Sequence, residues 1–174
     1  MAVMVETLEN NARNNLIHKY QSEWILWNHL SNDDRWSFDS YNKITTIKSM
    51  EDALMLFENF PENIIKNSML FLMRQGIKPM WEDDNNKNGG CFSYKVNNKL
   101  VNDLWKKMAY VLMGETLASP EINKLITGIT ISPKKNFCII KIWLSTCKYD
   151  NPDIIQNFES LNKIGCLFKK HIQN

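Results

Sequence analysis

Apolar residues recur along the chain at two spacings, and the switches between them mark out the elements. Residues 1–17 are polar, with few long apolar side chains, and read as an N-terminal arm ahead of a domain over 18–174. Glu23 to Leu30 places bulky apolar residues in a row and predicts a strand. Trp36 to Ile44 predicts a second strand, with Trp36 and Phe38 on one face by the period-two rule. Ser49-Met50-Glu51-Asp52 has the form of a capping box. The helix it opens runs to about Asn59, before Pro61, with Met50, Ala53, Leu54, Leu56 and Phe57 at helical spacing.

Ser68 to Arg74 predicts a further strand, Gly76 to Gly90 a long loop, and Cys91 to Val96 a strand. Leu100 to Leu117 is the clearest helix, with Val101, Leu104, Trp105, Met108, Val111 and Leu112 on one stripe. Thr127 to Ser132 and Phe137 to Ser145 predict a hairpin turned at Pro133-Lys134-Lys135-Asn136. Asn151-Pro152-Asp153 predicts the start of a last helix that ends at Gly165, with a closing strand over Cys166 to Ile172. Strands returning between a few helices imply an α+β fold, one antiparallel sheet with helices on one face.

The length of 174 residues and 44% hydrophobic content fit one ordinary domain with a real core. No apolar run approaches the roughly 20 residues of a membrane span, and the opening MAVMVETLEN lacks secretory character, so an intracellular, cytoplasmic protein is expected. A net charge of +2 excludes a bulk electrostatic grip on a long nucleic acid; any such binding is local, at a built pocket. Lysine outnumbers arginine 18 to three and asparagine reaches 22, as an AT-rich coding genome would produce, so a lysine can stand where another sequence uses arginine. The cysteines Cys91, Cys138, Cys147 and Cys166 lack CxxC spacing and read as reduced thiols. The three histidines form no metal motif, and neither a phosphate loop nor a GxSxG elbow is present. No cofactor is expected.

Tryptophan is normally a core residue. Trp24 and Trp27 on the first strand and Trp105 on the long helix fit that role. Trp81 does not, because it follows Gly-Ile-Lys-Pro-Met in a loop and precedes Glu82, Asp83 and Asp84. An aromatic beside carboxylates on a loop suits a base-binding site, where the ring stacks and a carboxylate accepts from the N–H edge.

The run Gly76-Ile77-Lys78-Pro79-Met80-Trp81-Glu82-Asp83, followed by Asn88-Gly89-Gly90, resembles the signature of the eukaryotic translation initiation factor 4E family, whose members bind the 7-methylguanosine cap of messenger RNA. The resemblance extends over about residues 18–170, through His18, Trp24-Ile25-Leu26-Trp27, Trp36, Met50-Glu51-Asp52, Gly114-Glu115 and Ile142-Trp143. It implies a curved antiparallel sheet, about three helices on its convex face and a cap slot on the concave side. It also implies that Trp36 and Trp81 sandwich the methylated base, that Glu82 reads its Watson–Crick edge, and that Trp143 packs on the methyl group. For the phosphates it implies Lys134, with Lys135, in place of a family arginine. Cys91 and Ile139 replace two other basic positions, and Lys141, on the same strand face as Trp143, is the candidate to compensate.

On the convex face the family docks a scaffold factor and repressor peptides. The corresponding positions here are His18, Met50, Leu54, Lys106, Lys107 and Tyr110, with Leu54 where the family has an anchoring tryptophan. The expectation is a cap-binding module acting in translation initiation, monomeric outside its complex, partnered by a scaffold of the 4G type or a dedicated replacement. The alternative is a cap-binding repressor that does not recruit the usual scaffold. An enzyme reading, with Glu82, Asp83 and Asp84 holding a divalent metal, is disfavoured because the acids are consecutive rather than convergent and lack a companion base or nucleophile.

Overall fold

Side chains alternate across a strand, so a strand buried on both sides must be apolar at nearly every position. Met69 to Met73 has that pattern in the computed structural model, which describes residues 17–172. The strands are β1 (Lys19–His29), β2 (Tyr41–Ser49), β3 (Met69–Arg74), β4 (Gly90–Asn97), β5 (Ile126–Pro133), β6 (Phe137–Leu144) and β7 (Leu167–Lys170). They form one curved sheet in the order β2-β1-β3-β5-β6-β4-β7, antiparallel at every pairing. The helices are α1 (Met50–Glu58), α2 (Glu62–Asn67), α3 (Val101–Met113) and the single turn α4 (Pro120–Asn123). The α+β arrangement read from the sequence is the one observed. The expected N-terminal arm, residues 1–17, lies outside the described residues except for Ile17.

On β3, Leu70 and Leu72 turn toward the helices and pack with Ala53 and Phe57 of α1 and Trp105 and Met108 of α3. Phe71 and Met73, alternating with them, turn the other way and join Tyr41, Cys91 and Trp143 in a smaller cluster on the concave face. Register assembles that second cluster: Phe71 lies opposite Trp27, and Cys91 opposite Trp143. A one-residue slip of β6 would carry Trp143 to the helical face.

The capping box forms as read: Asp52 N donates to Ser49 Oγ at 3.2 Å and Ser49 N donates to Asp52 Oδ2 at 3.1 Å. Two expectations need correction. Trp36 and Phe38 are not on a strand; Trp36 lies in a loop, Phe38–Ser40 is a 3-10 turn, and β2 begins at Tyr41. Ser40 Oγ donates to the carbonyls of Arg35 (3.0 Å) and Ser37 (2.8 Å), a local side-chain alternative to a strand ladder. The last helix is only the 3-10 turn Pro152–Ile154, capped by Asn151 Oδ1, which accepts from Asp153 N at 3.0 Å. Ile155 and Leu161 are buried against the main core, and Gln156 N donates to Leu117 O at 2.8 Å, so the segment follows that surface instead of coiling. The short α2 and α4 were not read from the sequence.

A partly buried ion pair ties the ends of several elements together. Arg74 Nη1 lies 2.7 Å from Glu115 Oε1, and the Arg74 guanidinium also sits over Trp24 and donates to the carbonyl of Asn123. Ser22 Oγ donates to the same Glu115 oxygen at 2.8 Å. Burial pushes the Glu115 carboxyl up, but the hydrogen bonds from Arg74 and Ser22 outweigh it and leave it below its ordinary value. Glu115→Ala should therefore lower stability at neutral pH by about 2–3 kcal/mol, by stranding the Arg74 charge. Because the folded-state pKa is depressed, this contribution is present above the ordinary carboxylate range and lost as pH falls through the lowered value. Urea titrations of both proteins should show the gap closing on acidification.

Candidate functional site

The concave face holds a cavity of about 290 Å³ whose lining includes Trp36, Tyr41, Phe71, Trp81, Glu82 and Trp143. Trp81 and Glu82 reach it from the loop between β3 and β4. Asp83 organises that loop, its carboxylate accepting from Lys78 N at 3.0 Å and Asn85 N at 2.9 Å. Asn86, fully buried, donates to the carbonyls of Lys78 (3.1 Å) and Met80 (2.9 Å) on either side of Pro79. At the loop's far end a Cβ on Gly89 would lie 1.8 Å from Leu144 O, so only glycine lets the loop approach β6 this closely.

The three consecutive acids thus differ in role. Asp83 is committed to loop backbone, and Asp84 pairs with Lys87 at 2.6 Å. Glu82 is exposed and makes no hydrogen bond or ion pair to a described residue. Among the described residues no group of histidine, cysteine and acidic side chains is placed to hold a metal ion.

Trp81 is 49% exposed and Trp36 54%, far more than packing residues would be. Trp36 comes from the loop after β1, pinned by the Arg35–Asp33 pair at 2.7 Å. Trp143, on β6, is the floor: it is buried, and its Nε1 donates to Thr130 Oγ1 on β5 at 3.2 Å. Burial, with the nearby Glu82 charge second, pushes the Tyr41 hydroxyl up to about 12, so it stays neutral.

A second cavity, of about 420 Å³, shares Trp81 and Lys141 with the first and adds Cys91, Lys169, Lys170 and His171. Lys141 Nζ lies 5.8 Å from the Trp81 ring centroid. Pairing of β7 with β4 places Lys169 opposite Cys91 and Lys170 opposite Gly90. Burial pushes the Cys91 thiol up, against the pull of Lys141 and Lys169. His171 Nδ1 donates to Asn86 O at 2.7 Å, and burial lowers its pKa, favouring the neutral ring. Lys134 and Lys135 are exposed at the β5–β6 hairpin tip and line neither cavity. Lys169, Lys170 and His171 were missed because their relevance depends on the β4–β7 register, which sequence spacing does not carry.

On the helical side Leu54 is 45% exposed, with Met50 and Met55 also exposed, so Leu54 is not core. His18 Nδ1 lies 2.7 Å from Glu51 Oε1. Lys106 pairs with Glu58, Lys107 is exposed, and the Tyr110 ring packs edge-on to Phe57 at 5.6 Å.

Chemically, the first cavity offers exposed indole faces and an unpaired carboxylate, and the second a lysine-lined exit. Together they suit a flat, electron-poor base with N–H donors and an anionic tail.

The sequence model for eukaryotic initiation factor 4E matches residues 19–174. Eukaryotic translation initiation factor 4E-2 of Schizosaccharomyces pombe is 33% identical over 165 residues, covering 88% of this chain and 61% of the relative. Eukaryotic translation initiation factor 4E of Dictyostelium discoideum is 32% identical over 142 residues, covering 77% of this chain and 55% of the relative. The chain thus spans little more than half of these curated relatives' length. Among solved structures, C. elegans initiation factor 4E-3 in complex with the 4E-binding protein Mextli and cap analog superposes with a TM-score of 0.74 at 22% identity, over 89% of this chain and 93% of that one. That likeness is one of fold.

Asn86→Ala should leave the Lys78 and Met80 carbonyls without their donor and cost about 2–3 kcal/mol. Denaturant midpoints would measure this, and Trp81 emission should change in the same variant because its loop loses its internal brace.

Proposed function

The chain belongs to the eukaryotic initiation factor 4E family, and on that premise we propose that it binds the 7-methylguanosine cap of messenger RNA in translation initiation, acting in the cytoplasm. The observation that carries this reading is the convergence of Trp36, Trp81, Glu82 and Trp143 on one cavity from three separated segments. N7 methylation leaves a delocalised positive charge on guanine. That charge strengthens stacking between the Trp36 and Trp81 indoles, at roughly 1–3 kcal/mol per stacked face. It also makes the base's edge N–H groups better donors to an ionised Glu82. Trp143 gives the methyl group an apolar wall. This is a binding role and not catalysis: Glu82 is the one acid of its run left unpaired, and its neighbours are committed to the loop.

For the phosphates, support favours Lys141 with Lys169 and Lys170 over Lys134 and Lys135, since the first three line the adjoining cavity. On the convex face, the exposed Met50, Leu54 and Met55 offer an apolar strip for a scaffold or repressor helix. Leu54 in place of a tryptophan anchor favours a second reading in which the same cap slot serves a repressor with its own partner. Binding of a Tyr-x-x-x-x-Leu scaffold peptide would separate the two.

The protein should be retained on 7-methylguanosine resin and released by free cap analogue, but not by equal unmethylated GTP. Trp36→Ala or Trp81→Ala should each cost about ten- to hundred-fold in affinity. Glu82→Gln should weaken binding well beyond Asp84→Asn, because the Glu82 amide turns a donor toward the base's donors, whereas Asp84 only pairs with Lys87 on the loop. Retention unchanged in both tryptophan variants would sink the sandwich.

Lys141→Ala combined with Lys169→Ala should weaken binding of the 7-methylguanosine triphosphate more than that of the nucleoside, and flatten its salt dependence. Lys134→Ala with Lys135→Ala should change neither by more than about two-fold. Affinity titrations at two salt concentrations would decide which lysine set holds the phosphates.

A further inference from the structure

Trp36 is more than half exposed and sits in a loop, yet a stacking platform must hold its plane. Its ring contacts are with His29 and Tyr41. The His29 imidazole lies flat against it, with centroids 4.3 Å apart and an interplanar angle of 0°. Tyr41 meets both rings edge-on, at 5.1 Å from His29 and 6.5 Å from Trp36. His29 is the last residue of β1, paired with Tyr41 on β2 and Met69 on β3, and is 1% exposed. It is therefore anchored in the sheet, whereas Trp36 is not.

The same imidazole also holds the backbone of that loop. Its Nε2 lies 2.8 Å from the carbonyl oxygen of Arg35, the residue before Trp36. A carbonyl only accepts, so Nε2 carries the proton and a neutral ring leaves Nδ1 bare. Nδ1 is buried and has no hydrogen-bond partner.

We propose that His29 is a positioning residue for base recognition: its imidazole, anchored in the sheet, fixes the plane of the Trp36 indole by stacking and holds the loop through the Arg35 carbonyl. This rests on the cap reading of the slot.

The test uses 7-methylguanosine nucleoside as the probe, so that only the base contacts are read. Binding is followed by tryptophan fluorescence for the wild type, His29→Phe and His29→Ala at pH 7.5. His29→Phe keeps a flat ring without a charge, and should bind within about three-fold of wild type at pH 7.5. His29→Ala, lacking ring and donor, should bind about ten-fold more weakly. Wild-type affinity in His29→Ala, or a loss in His29→Phe as large as in His29→Ala, would overturn the inference while leaving the cap reading intact. Absence of nucleoside binding by wild type and His29→Phe alike at pH 7.5 would overturn the cap reading and this inference with it.

Discussion

The site depends on the pairing register of β4, β5 and β6. Side chains on a strand have a period of two, so the register alone decides that Trp143 faces the concave side while Ile142 and Leu144 face the helices. The same register sets Cys91 opposite Trp143 and brings Thr130 within reach of its indole N–H. The close approach of Gly89 to Leu144 O then fixes where the Trp81 loop meets the sheet. Floor, wall and loop are consequences of one hydrogen-bonded ladder. The large apolar core on the helical face holds that ladder in place while the two tryptophans stay half exposed.

The slot divides its work between a fixed floor and two braced platforms. Trp143 is buried in the sheet. Trp81 stands on a loop that is hydrogen-bonded internally through Asp83 and Asn86 and backed by His171, whose ring lies parallel to Trp81 at 6.5 Å. Trp36 stands on a loop braced by His29. Each exposed indole thus has a parallel histidine ring behind it, and each of those histidines donates to a backbone carbonyl of a site loop. Preorganisation of this kind lowers the ordering cost when a ligand arrives.

Much of this was legible in the sequence, for identifiable reasons. The capping box at Ser49, the stripe of the long helix and the hairpin around Pro133 are local signals, and each appears as an element. The candidate site residues stood out because Trp81 beside Glu82 in a loop defies the core habit of tryptophan. The alternation of Trp36 and Phe38 with polar residues predicts a strand there, whereas the serine-to-carbonyl bonds that keep Trp36 in a loop lie within a few residues yet have no periodicity. The last helix failed for the opposite reason: its cap is real, but burial of Ile155 and Leu161 overrode it. The β7 lysines were illegible because their meaning is a pairing 78 residues away, Lys169 to Cys91.

β7 is four residues long and forms one edge of the sheet. Edge strands of this length open at low free energy, ahead of any global unfolding. Yet this strand carries Lys169 and Lys170 and leads directly into His171, which braces the Trp81 loop through Asn86. A short edge strand and one wall of the lysine-lined cavity are therefore the same piece of backbone. By mass action, any ligand gripped there holds the edge shut, and fraying of the edge sets a limit on how long the ligand stays. Residence time and the breathing of a single short strand are thereby coupled.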